Sequence, residues 1–326
     1  MAEKLYDVTA LGELLVDFVE YGNSDQGNMT YEANPGGAPC NVLALLTKLG
    51  RKTAFLGKVG NDIFGRMLKG RAGGQGIDLS SLLMDSEVRT TLAFVEKLPN
   101  GDRDFSFYRN PGADIMLTRE EVIANRDKIE NAKIFHFGSL SMTDQPIEDA
   151  TVEALSIARE SGCLISFDPN LRPPLWRSQE TAKEKIAFGL GKCDILKISD
   201  NEITFMTGDT DLDLGVRKII DQYRIPLVLA TYGKDGAKAY LNGKEAFEPG
   251  FVNPATIETT GAGDTFCGSA LHYVLRYGLD GLDEAKLHEM LVFANAAASL
   301  VTTRKGALCV MPSPKEIEDY IAASGR

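Results

Sequence analysis

The sequence contains few histidines and no surplus of positive charge, and each shortage excludes a class of function. None of the three histidines, His136, His272 and His288, has a second ligand at metal-binding spacing, so no histidine-based metal centre is predicted. Acidic residues outnumber basic ones by 46 to 35, which gives a formal net charge of -11 and leaves no general basic field for nucleic acid. An anionic substrate would need local lysine or arginine side chains to overcome this background.

Cysteine pairs and long hydrophobic runs are also missing. The five cysteines lie far apart, without CxxC spacing, which predicts buried thiols in a reducing cytosol. No stretch approaches the ~20 apolar residues of a membrane span, and residues 5–11 resemble a strand rather than a secretory leader. We therefore expect a cytoplasmic protein that has no membrane partner. The cysteines are Cys40, Cys163, Cys193, Cys267 and Cys309.

The 326 residues are enough for one large α/β domain with an appendage, or for two domains of ordinary size. From about residue 130 onward, short apolar runs alternate with longer helical patterns, which predicts βαβ units and a parallel sheet covered on both faces. The apolar runs are residues 134–137, 164–167, 195–198 and 227–230, and the clearest helical patterns are residues 144–161 and 181–191.

The first hundred residues follow a different pattern. Residues 14–20 and 90–96 alternate like half-exposed strands, and Pro99-Asn100-Gly101 predicts a hairpin turn before residues 104–108. We expect a small antiparallel sheet that projects from the main body as a lid over the ligand crevice, with an exposed face that favours dimerisation. The alternative is an edge hairpin of the main sheet.

Residues 259–266 (TTGAGDTF) carry the strongest chemical signal. Their small residues can turn backbone N–H groups toward one point, and the apolar run 266–275 predicts a helix beginning there, so this turn is a candidate anion site. Asp264 beside it would repel phosphate, which suggests a base that accepts a hydroxyl proton during phosphoryl transfer. The alternative is an ordinary glycine turn in which Asp264 is a capping or first-turn residue.

A second glycine-containing segment, residues 36–41 (GGAPCN), opens a predicted helix that extends to about residue 49. Its glycines would let a ligand approach the backbone, and Asn41 could offer a neutral amide. Asp17 interrupts an apolar strand, as either a solvent-facing acid or an acceptor for sugar hydroxyls. The glycine pair alone could equally be a simple connection before a helix.

Together, residues 36–41 and 259–264 resemble the two signatures of the ribokinase-like (pfkB) carbohydrate kinases. The similarity extends from Gly12 to Pro312, and residues 107–114, 135–139 and 168–172 look like the fructokinase branch. The resemblance implies one ribokinase-like α/β domain over residues 1–326, with a mostly parallel central sheet, flanking helices and a β lid formed by about 13–34 and 88–112. It also implies ATP as donor, Mg²⁺, and phosphorylation of the terminal hydroxyl of a sugar.

The resemblance also assigns residue roles near the sugar. Asp264 matches the catalytic base of the family, and Gly261, Ala262 and Gly263 match its anion hole. Arg172 could bind carboxylate or phosphate bidentately, although an arginine can also form a surface ion pair worth little. The positions implied to hold the substrate are Asp17, Gly36, Gly37, Asn41, Tyr108, Arg109, Asn110 and Arg172.

Nucleotide contacts are implied for the loop that follows the strand 227–230, although this loop could be a plain strand-turn-strand connection. Asn295, inside a very apolar helix, either borders the adenine or is a satisfied interhelical amide. Glu202 would act on Mg²⁺ through water, or is only a first-turn glutamate. The implied nucleotide-binding residues are Asn170, Lys197, Thr231, Gly233, Gly236 and Asn295.

Departures from the family pattern leave two questions open. Glu258 and Val310 replace an aspartate and a serine that help to coordinate an activating monovalent cation in relatives, which puts potassium activation in doubt. Neutral Asn110 favours fructose over 2-keto-3-deoxygluconate as the substrate. The alternative from another class is a catalytically silent sugar or nucleotide sensor, against which Asp264 and the anion turn argue.

Overall fold

Two β-sheets and eleven α-helices make up the computed structural model, which describes residues 4–97 and 103–326. The strands are β1 (Tyr6–Leu11), β2 (Leu15–Asn23), β3 (Met29–Gly36), β4 (Thr53–Gly60), β5 (Asp78–Asp85), β6 (Leu92–Lys97), β7 (Arg103–Tyr108), β8 (Ala132–Gly138), β9 (Leu164–Asp168), β10 (Ile195–Ser199), β11 (Leu227–Thr231), β12 (Ala237–Leu241) and β13 (Lys244–Glu248). The helices are α1 (Ala38–Lys48), α2 (Ile63–Gly73), α3 (Arg119–Ala124), α4 (Arg126–Glu130), α5 (Ile147–Glu160), α6 (Gln179–Leu190), α7 (Asp200–Thr207), α8 (Leu212–Tyr223), α9 (Ala262–Tyr277), α10 (Glu284–Val301) and α11 (Pro314–Ala323).

The larger sheet has nine strands in the order β13-β12-β11-β10-β9-β8-β1-β4-β5. All pairs from β11 to β5 are parallel, and at the other edge β12 pairs antiparallel with both β11 and β13. This confirms the mostly parallel α/β architecture that the alternation of apolar runs and helical patterns predicts. Because parallel strands share a direction, the segments that follow β1, β8, β9, β10 and β11 meet at one edge.

Helices cover the larger sheet on both faces. Alternate residues of β11 show this directly, because Leu227 and Leu229 join one hydrophobic cluster whereas Val228 and Ala230 join another. The first cluster packs against α1, α9, α10 and α11, and the second against α5, α6, α7 and α8. Strands that are buried on both faces explain why these runs are continuously apolar.

The smaller sheet has four strands in the order β3-β2-β6-β7 and is separate from the larger one. The edge-hairpin alternative is therefore wrong. The expectation of an antiparallel sheet also needs correction, because β2 pairs with β6 in parallel between two antiparallel pairs. Strands β2 and β6 follow β1 and β5, which point the same way in the main sheet, so they leave it in the same direction. The predicted turn at Pro99-Asn100-Gly101 lies outside the described residues.

The two faces of this four-stranded lid differ in character. Asp17, Val95 and Phe107 lie on the face toward the main body. Their chain neighbours point the other way, where Phe18 and Phe94 stack with ring centroids 4.8 Å apart. Within the described part of the chain, no helix combines the length and apolar character that crossing a membrane requires.

Candidate active site

A cavity of about 500 Å³ lies between the lid and the carboxyl edge of the main sheet. Its volume is in the range of small-molecule sites, and its wall is mostly polar. The lining residues come from both ends of the sequence, because the lid, the start of α1 and the start of α9 converge there. They are Glu13, Leu15, Asp17, Gly37, Ala38, Asn41, Val95, Phe107, Leu140, Asn170, Arg172, Lys197, Asn201, Thr259, Thr260, Gly261, Gly263 and Asp264.

The turn at the start of α9 has the geometry of an anion site. Gly261 adopts a left-handed conformation with φ 77°, and a Cβ there would lie 2.4 Å from Cβ of Ala307, so only glycine fits. The Ala262 N–H donates to the carbonyl of Thr259 at 3.2 Å, whereas helix geometry leaves the next two N–H groups without intrahelical acceptors. Those donors, with the positive end of the helix dipole, favour a bound anion.

Asp264 lies in the first turn of the same helix and is 9% exposed. Its Oδ2 accepts a hydrogen bond of 2.8 Å from Nδ2 of Asn41, which lies in the first turn of α1. Burial raises the pKa of Asp264, and the Asn41 hydrogen bond and the charges of Lys197 and Arg172 oppose that rise. The result is a buried carboxyl with raised proton affinity that faces a polar cavity, as a general base requires.

A buried ion pair lies directly behind the anion turn. Nζ of Lys197 is 3.2 Å from Oδ2 of Asp168, and a Cβ on Gly263 would lie 3.1 Å from the same Nζ. Burial alone would lower the pKa of Lys197, but the surrounding carboxylates of Asp168, Glu202 and Asp264 outweigh it and raise that pKa. Lys197 therefore remains a cation beneath the turn, where it adds positive potential.

The glycine pair at the start of α1 makes room for protein atoms. A Cβ on Gly36 would lie 2.2 Å from Oδ2 of Asp17, and one on Gly37 would lie 2.3 Å from the carbonyl oxygen of Glu13. The expectation that these glycines let a ligand approach the backbone stays a prediction. They let the carboxylate of Asp17 and the backbone of Glu13 pass close by, which places both acids on the cavity wall.

Comparison with known proteins identifies this arrangement. Residues 6–314 match the description "pfkB family carbohydrate kinase". The chain belongs to this kinase family. The kinase is 40% identical over 325 residues to probable fructokinase-5 of Arabidopsis thaliana, an alignment that covers 98% of each chain.

Solved structures of fructokinases have the same fold as the kinase. A fructokinase with bound ATP from Xylella fastidiosa superimposes with a TM-score of 0.88 at 30% identity, covering 99% of this chain and 100% of that one. A double mutant of fructokinase from Vibrio cholerae O395, in a form bound to fructose, ADP and potassium ion, gives 0.86 at 28% identity and covers 98% and 100%. These values confirm the ribokinase-like fold over essentially the whole chain.

Three of the predicted substrate residues lie outside the cavity of the kinase. Tyr108 is on the outer face of the lid and 65% exposed, where its ring packs against Phe94 at 5.3 Å. Arg109 is buried in contacts with Asp114, and Asn110 is exposed beside a smaller cavity of about 150 Å³. The other predicted substrate residues are at the cavity: Asp17, Gly37, Asn41 and Arg172 line it, and Gly36 contacts Asp17.

The predicted nucleotide residues of the kinase fall into two groups. Asn170 and Lys197 line the cavity. Thr231 ends β11, two residues before Gly233 in the turn that leads to β12. The remaining two residues, Gly236 and Asn295, both approach the carbonyl oxygen of Glu248. A Cβ on Gly236 would lie 2.1 Å from this oxygen, and the side chain of Asn295 donates a hydrogen bond of 3.0 Å to it. This group does not line the cavity and lies at the antiparallel edge of the sheet.

Glu202 is buried, and both of its oxygens accept backbone N–H groups. Oε1 accepts from Leu171 at 2.8 Å and Oε2 from Ser199 at 2.9 Å, so Glu202 joins the loop of Arg172 to the start of α7. Among the described residues there is no group of three or more His, Cys, Asp or Glu side chains arranged around a metal. A role of Glu202 toward Mg²⁺ stays a prediction.

Two buried acids of the site were not among the predicted site residues. Glu13 lines the cavity and accepts the Ala38 N–H at 2.7 Å, and burial raises its pKa to about 7. Asp168 was identified only as part of a motif, although it forms the ion pair with Lys197. Their position in the sequence could have identified them. Glu13 comes two residues after β1 and Asp168 ends β9, and both strands have their carboxyl ends at the site.

Proposed function

We propose that this kinase transfers the γ-phosphoryl group of ATP to the terminal hydroxyl of fructose. One observation carries the proposal: the carboxyl of Asp264 faces the same cavity as the N–H donors of the Gly261–Gly263 turn. A site that bound phosphate only would gain nothing from an acid beside it, because two anions repel each other. The identity of 40% to a probable fructokinase supports the choice of sugar.

The proposed step needs one base and one anion site. The sugar hydroxyl oxygen forms the new bond to the γ-phosphorus, the bond from that phosphorus to its bridging oxygen breaks, and the hydroxyl proton passes to Asp264. Negative charge that develops on the transferring group is stabilised by the N–H groups at the start of α9 and by the field of Lys197. Burial of Asp264 favours the reaction because it raises the proton affinity of the carboxyl.

The hydroxyls of the sugar would be held by Asp17 and by Asn41, whose Oδ1 is buried without a hydrogen-bond partner among the described residues. That acceptor fits a sugar hydroxyl, since unpaired buried polar atoms are costly. Arg172 lies on the cavity wall and lowers the pKa of Asp264 by its charge, which places a cation near the reacting groups. Gly36 and Gly37 leave room for the Asp17 carboxylate and the Glu13 backbone at this wall.

ATP would extend from the anion turn past Asn170 and Lys197 toward Thr231, Gly233 and Gly236, with Asn295 near the far end. Mg²⁺ commonly binds through substrate phosphates and water with few protein ligands, which fits a site with no dense carboxylate cluster among the described residues. When bound, Mg²⁺ would neutralise charge on the phosphates. Glu202 is proposed to act on it through water.

A monovalent cation is not required in this proposal. One neighbour is a fructokinase in a potassium-bound form. Here the carboxylate of Glu258 is buried and its Oε1 accepts the Gly306 N–H at 2.7 Å, so a hydrogen bond already joins the two segments that flank the anion turn. Activity in sodium-free and potassium-free buffer that matches activity in potassium would support this part.

We also propose a homodimer that forms through the outer face of the lid, in the cytoplasm. Tyr31 and Tyr108 are 41% and 65% exposed there, and both pack against Phe94, whose ring stacks with Phe18. An aromatic patch of this kind favours a partner surface, and a second copy would bury it. Sedimentation of the wild type and of Tyr108→Glu tests this, since a monomeric wild type would contradict it. The cytoplasmic location rests on the five free cysteines.

One assay tests the catalytic proposal. ADP release is measured in a coupled enzyme assay. The phosphoryl acceptors compared are fructose, ribose, 2-keto-3-deoxygluconate, fructose 6-phosphate and adenosine. The highest kcat/KM should be for fructose. A higher value for 2-keto-3-deoxygluconate would assign the kinase to that acid instead, with Arg172 as the carboxylate partner. Binding of sugar or ATP without any ADP release would indicate a sensor.

A further inference from the structure

Arg109 makes its contacts outside the proposed sugar cavity, at the base of the lid. Its side chain is 5% exposed, and its Nε and Nη2 lie 2.8 and 2.6 Å from Oδ2 of Asp114, whose own side chain is 1% exposed. A guanidinium that directs two nitrogens at one buried carboxylate is a strong, directional contact. Each of the three guanidinium nitrogens thus has at least one protein acceptor.

Asp114 connects both strands of one half of the lid. Its Oδ1 accepts a hydrogen bond from the hydroxyl of Thr91, directly before β6, while its Oδ2 accepts from Arg109, directly after β7. A Cβ on Gly112 would lie 1.8 Å from the Thr91 hydroxyl and 2.8 Å from Asp114 Oδ1, so only glycine leaves room for this contact. We refer to Thr91, Arg109 and Asp114 as the lid-root clasp.

The guanidinium of Arg109 also reaches the main body. Nη1 donates to Oγ1 of Thr143 at 3.0 Å, and Nη2 donates to the carbonyl oxygen of Leu140 at 2.9 Å. Leu140 lines the cavity, and so does Phe107, which is two residues before Arg109 on β7. One guanidinium therefore fixes the distance between a lid strand and the opposite wall of the cavity.

The clasp also lies near the second lid connection. Glu13 follows β1 and accepts the N–H of Ala38, which follows β3, at 2.7 Å. The charges of Arg109 and Asp114 both act on the Glu13 carboxyl. Each of the four chain crossings between lid and body thus supplies one partner to these two buried contacts.

We propose that the lid-root clasp positions the β6–β7 half of the lid over the sugar, and that Arg109 is a positioning residue rather than a sugar ligand. The inference rests on the proposed function only for the identity of the sugar. Its physical basis is that a buried ion pair has few alternative arrangements, because separating the charges leaves each one unpaired away from water. The lid strands therefore leave the body at a fixed angle.

Kinetics of clasp variants test the proposal. Asp114→Asn keeps the shape and removes the charge, Arg109→Lys removes the fork, and Thr91→Val removes one hydroxyl donor but keeps the ion pair. We expect Asp114→Asn and Arg109→Lys to raise the KM for fructose by about tenfold or more, with the KM for ATP changed by less than about twofold. Thr91→Val should give a smaller change in the same direction. The matched control is Arg119→Gln, which breaks an exposed pair with Glu153 and should change neither constant.

The double variant Arg109→Lys/Asp114→Asn separates positioning from direct ligation. Two residues that act as one unit give a double variant about as impaired as the worse single variant. Additive losses would mean that Arg109 contacts the sugar on its own, which would overturn the proposal. A fall in melting temperature with an unchanged KM for fructose would also overturn it, because the clasp would then be structural only. If Asp114→Asn does not fold, Thr91→Val replaces it, and an unchanged KM for fructose in that variant would overturn the proposal.

Amide hydrogen exchange provides a readout that does not depend on the substrate. In folded Thr91→Val and Arg109→Lys, the amides of residues 92–95, 106–108 and 139–143 should exchange faster, whereas those of α9 should not change. Unchanged exchange in the lid would contradict the clasp even if the wild type phosphorylates fructose. Faster lid exchange in a protein that phosphorylates no sugar would support the clasp and reject the proposed function.

Discussion

Nδ2 of Asn41 donates a hydrogen bond of 2.8 Å to Oδ2 of Asp264, across 223 positions of sequence. The contact joins the first turns of α1 and α9, which pack side by side; a Cβ on Gly268 of α9 would lie 3.0 Å from the carbonyl oxygen of Val42 in α1. Two segments that the sequence places far apart thus form one reaction site. The proposed base and the proposed sugar-binding amide hold each other in position.

The variant Asp264→Asn should retain substrate binding and lose turnover. Asparagine has nearly the same shape but cannot accept the hydroxyl proton, so kcat should fall by ~10² or more, the usual contribution of a positioned base. Calorimetric titration should show ATP and fructose binding close to wild type. Near wild-type turnover would remove Asp264 from the proposed role.

The variant Asn41→Leu should shift the pH profile of kcat/KM. The Asn41 hydrogen bond lowers the pKa of Asp264 against the effect of burial, and leucine removes the donor while keeping similar volume. The pKa of Asp264 should therefore rise further, and since the base works only when deprotonated, the acid limb of the profile should move to higher pH. Profiles from about pH 5 to about pH 9 measure this, with the exposed Asn131→Leu as control. An unmoved acid limb would show that another group sets it.

The variant Gly261→Ala should damage catalysis beyond its backbone strain. Gly261 has φ 77°, and the added Cβ would lie 2.4 Å from Cβ of Ala307, so the anion turn must move. Gly278→Ala is the matched control, because its φ is 67° but nothing lies within 4 Å of the added atom. Both should lose about 1 kcal/mol of stability from the left-handed conformation. Only Gly261→Ala should lose kcat as well, by ~10-fold or more. Equal kinetics for the two would count against the anion turn.

Glu13 should make stability depend on pH. Burial raises its pKa from 4.5 to about 7, so between these values the native state holds a proton that the unfolded chain releases. The stabilising contribution of this carboxyl is thus complete below pH 4.5 and is lost as pH rises through 7, a change of at most ~3 kcal/mol. Glu13→Gln keeps the neutral form and should flatten this part of the dependence.

Urea unfolding at about pH 5 and about pH 8 gives the change in the free energy of unfolding between the two pH values. The Glu13 effect is the difference in this change between the wild type and Glu13→Gln. The wild type should lose more free energy of unfolding between the two pH values than Glu13→Gln does. The exposed Glu318→Gln serves as control for the loss of one acid. Parallel pH dependences for the wild type and Glu13→Gln would mean that Glu13 is ionised in the native state.

Periodicity along the chain was sufficient to predict most elements. The helical pattern over residues 181–191 became α6, and the apolar run 227–230 became β11, because a strand buried on both faces must be apolar throughout. The lid could be predicted as a separate sheet because apolar and polar residues alternate along its strands, which is also a local pattern. The parallel pairing of β2 with β6 was not predicted, since pairing depends on where the strands leave the main sheet.

The site was only partly predictable. Asp264 and its glycine turn form one short segment, so their chemistry could be inferred from local sequence. Arg109 shows the limit, because its motif resembles a substrate-contacting segment whereas the folded chain directs its guanidinium to Asp114 and Leu140. The direction of a long side chain depends on which partners lie within reach, and those partners come from other elements.

Sequence alone was enough for the α/β class, because the alternation of apolar runs and helical patterns is read directly along the chain. It was also enough for the anion turn before α9 and the acid in it, because these residues lie within about one helical turn of one another. Only the tertiary structure decided which groups surround that acid: Asn41 from α1, the buried pair of Lys197 and Asp168, and the lid above. Burial raises the proton affinity of Asp264 and its long-range contacts partly offset that rise, and both effects arise only when distant segments exclude water together.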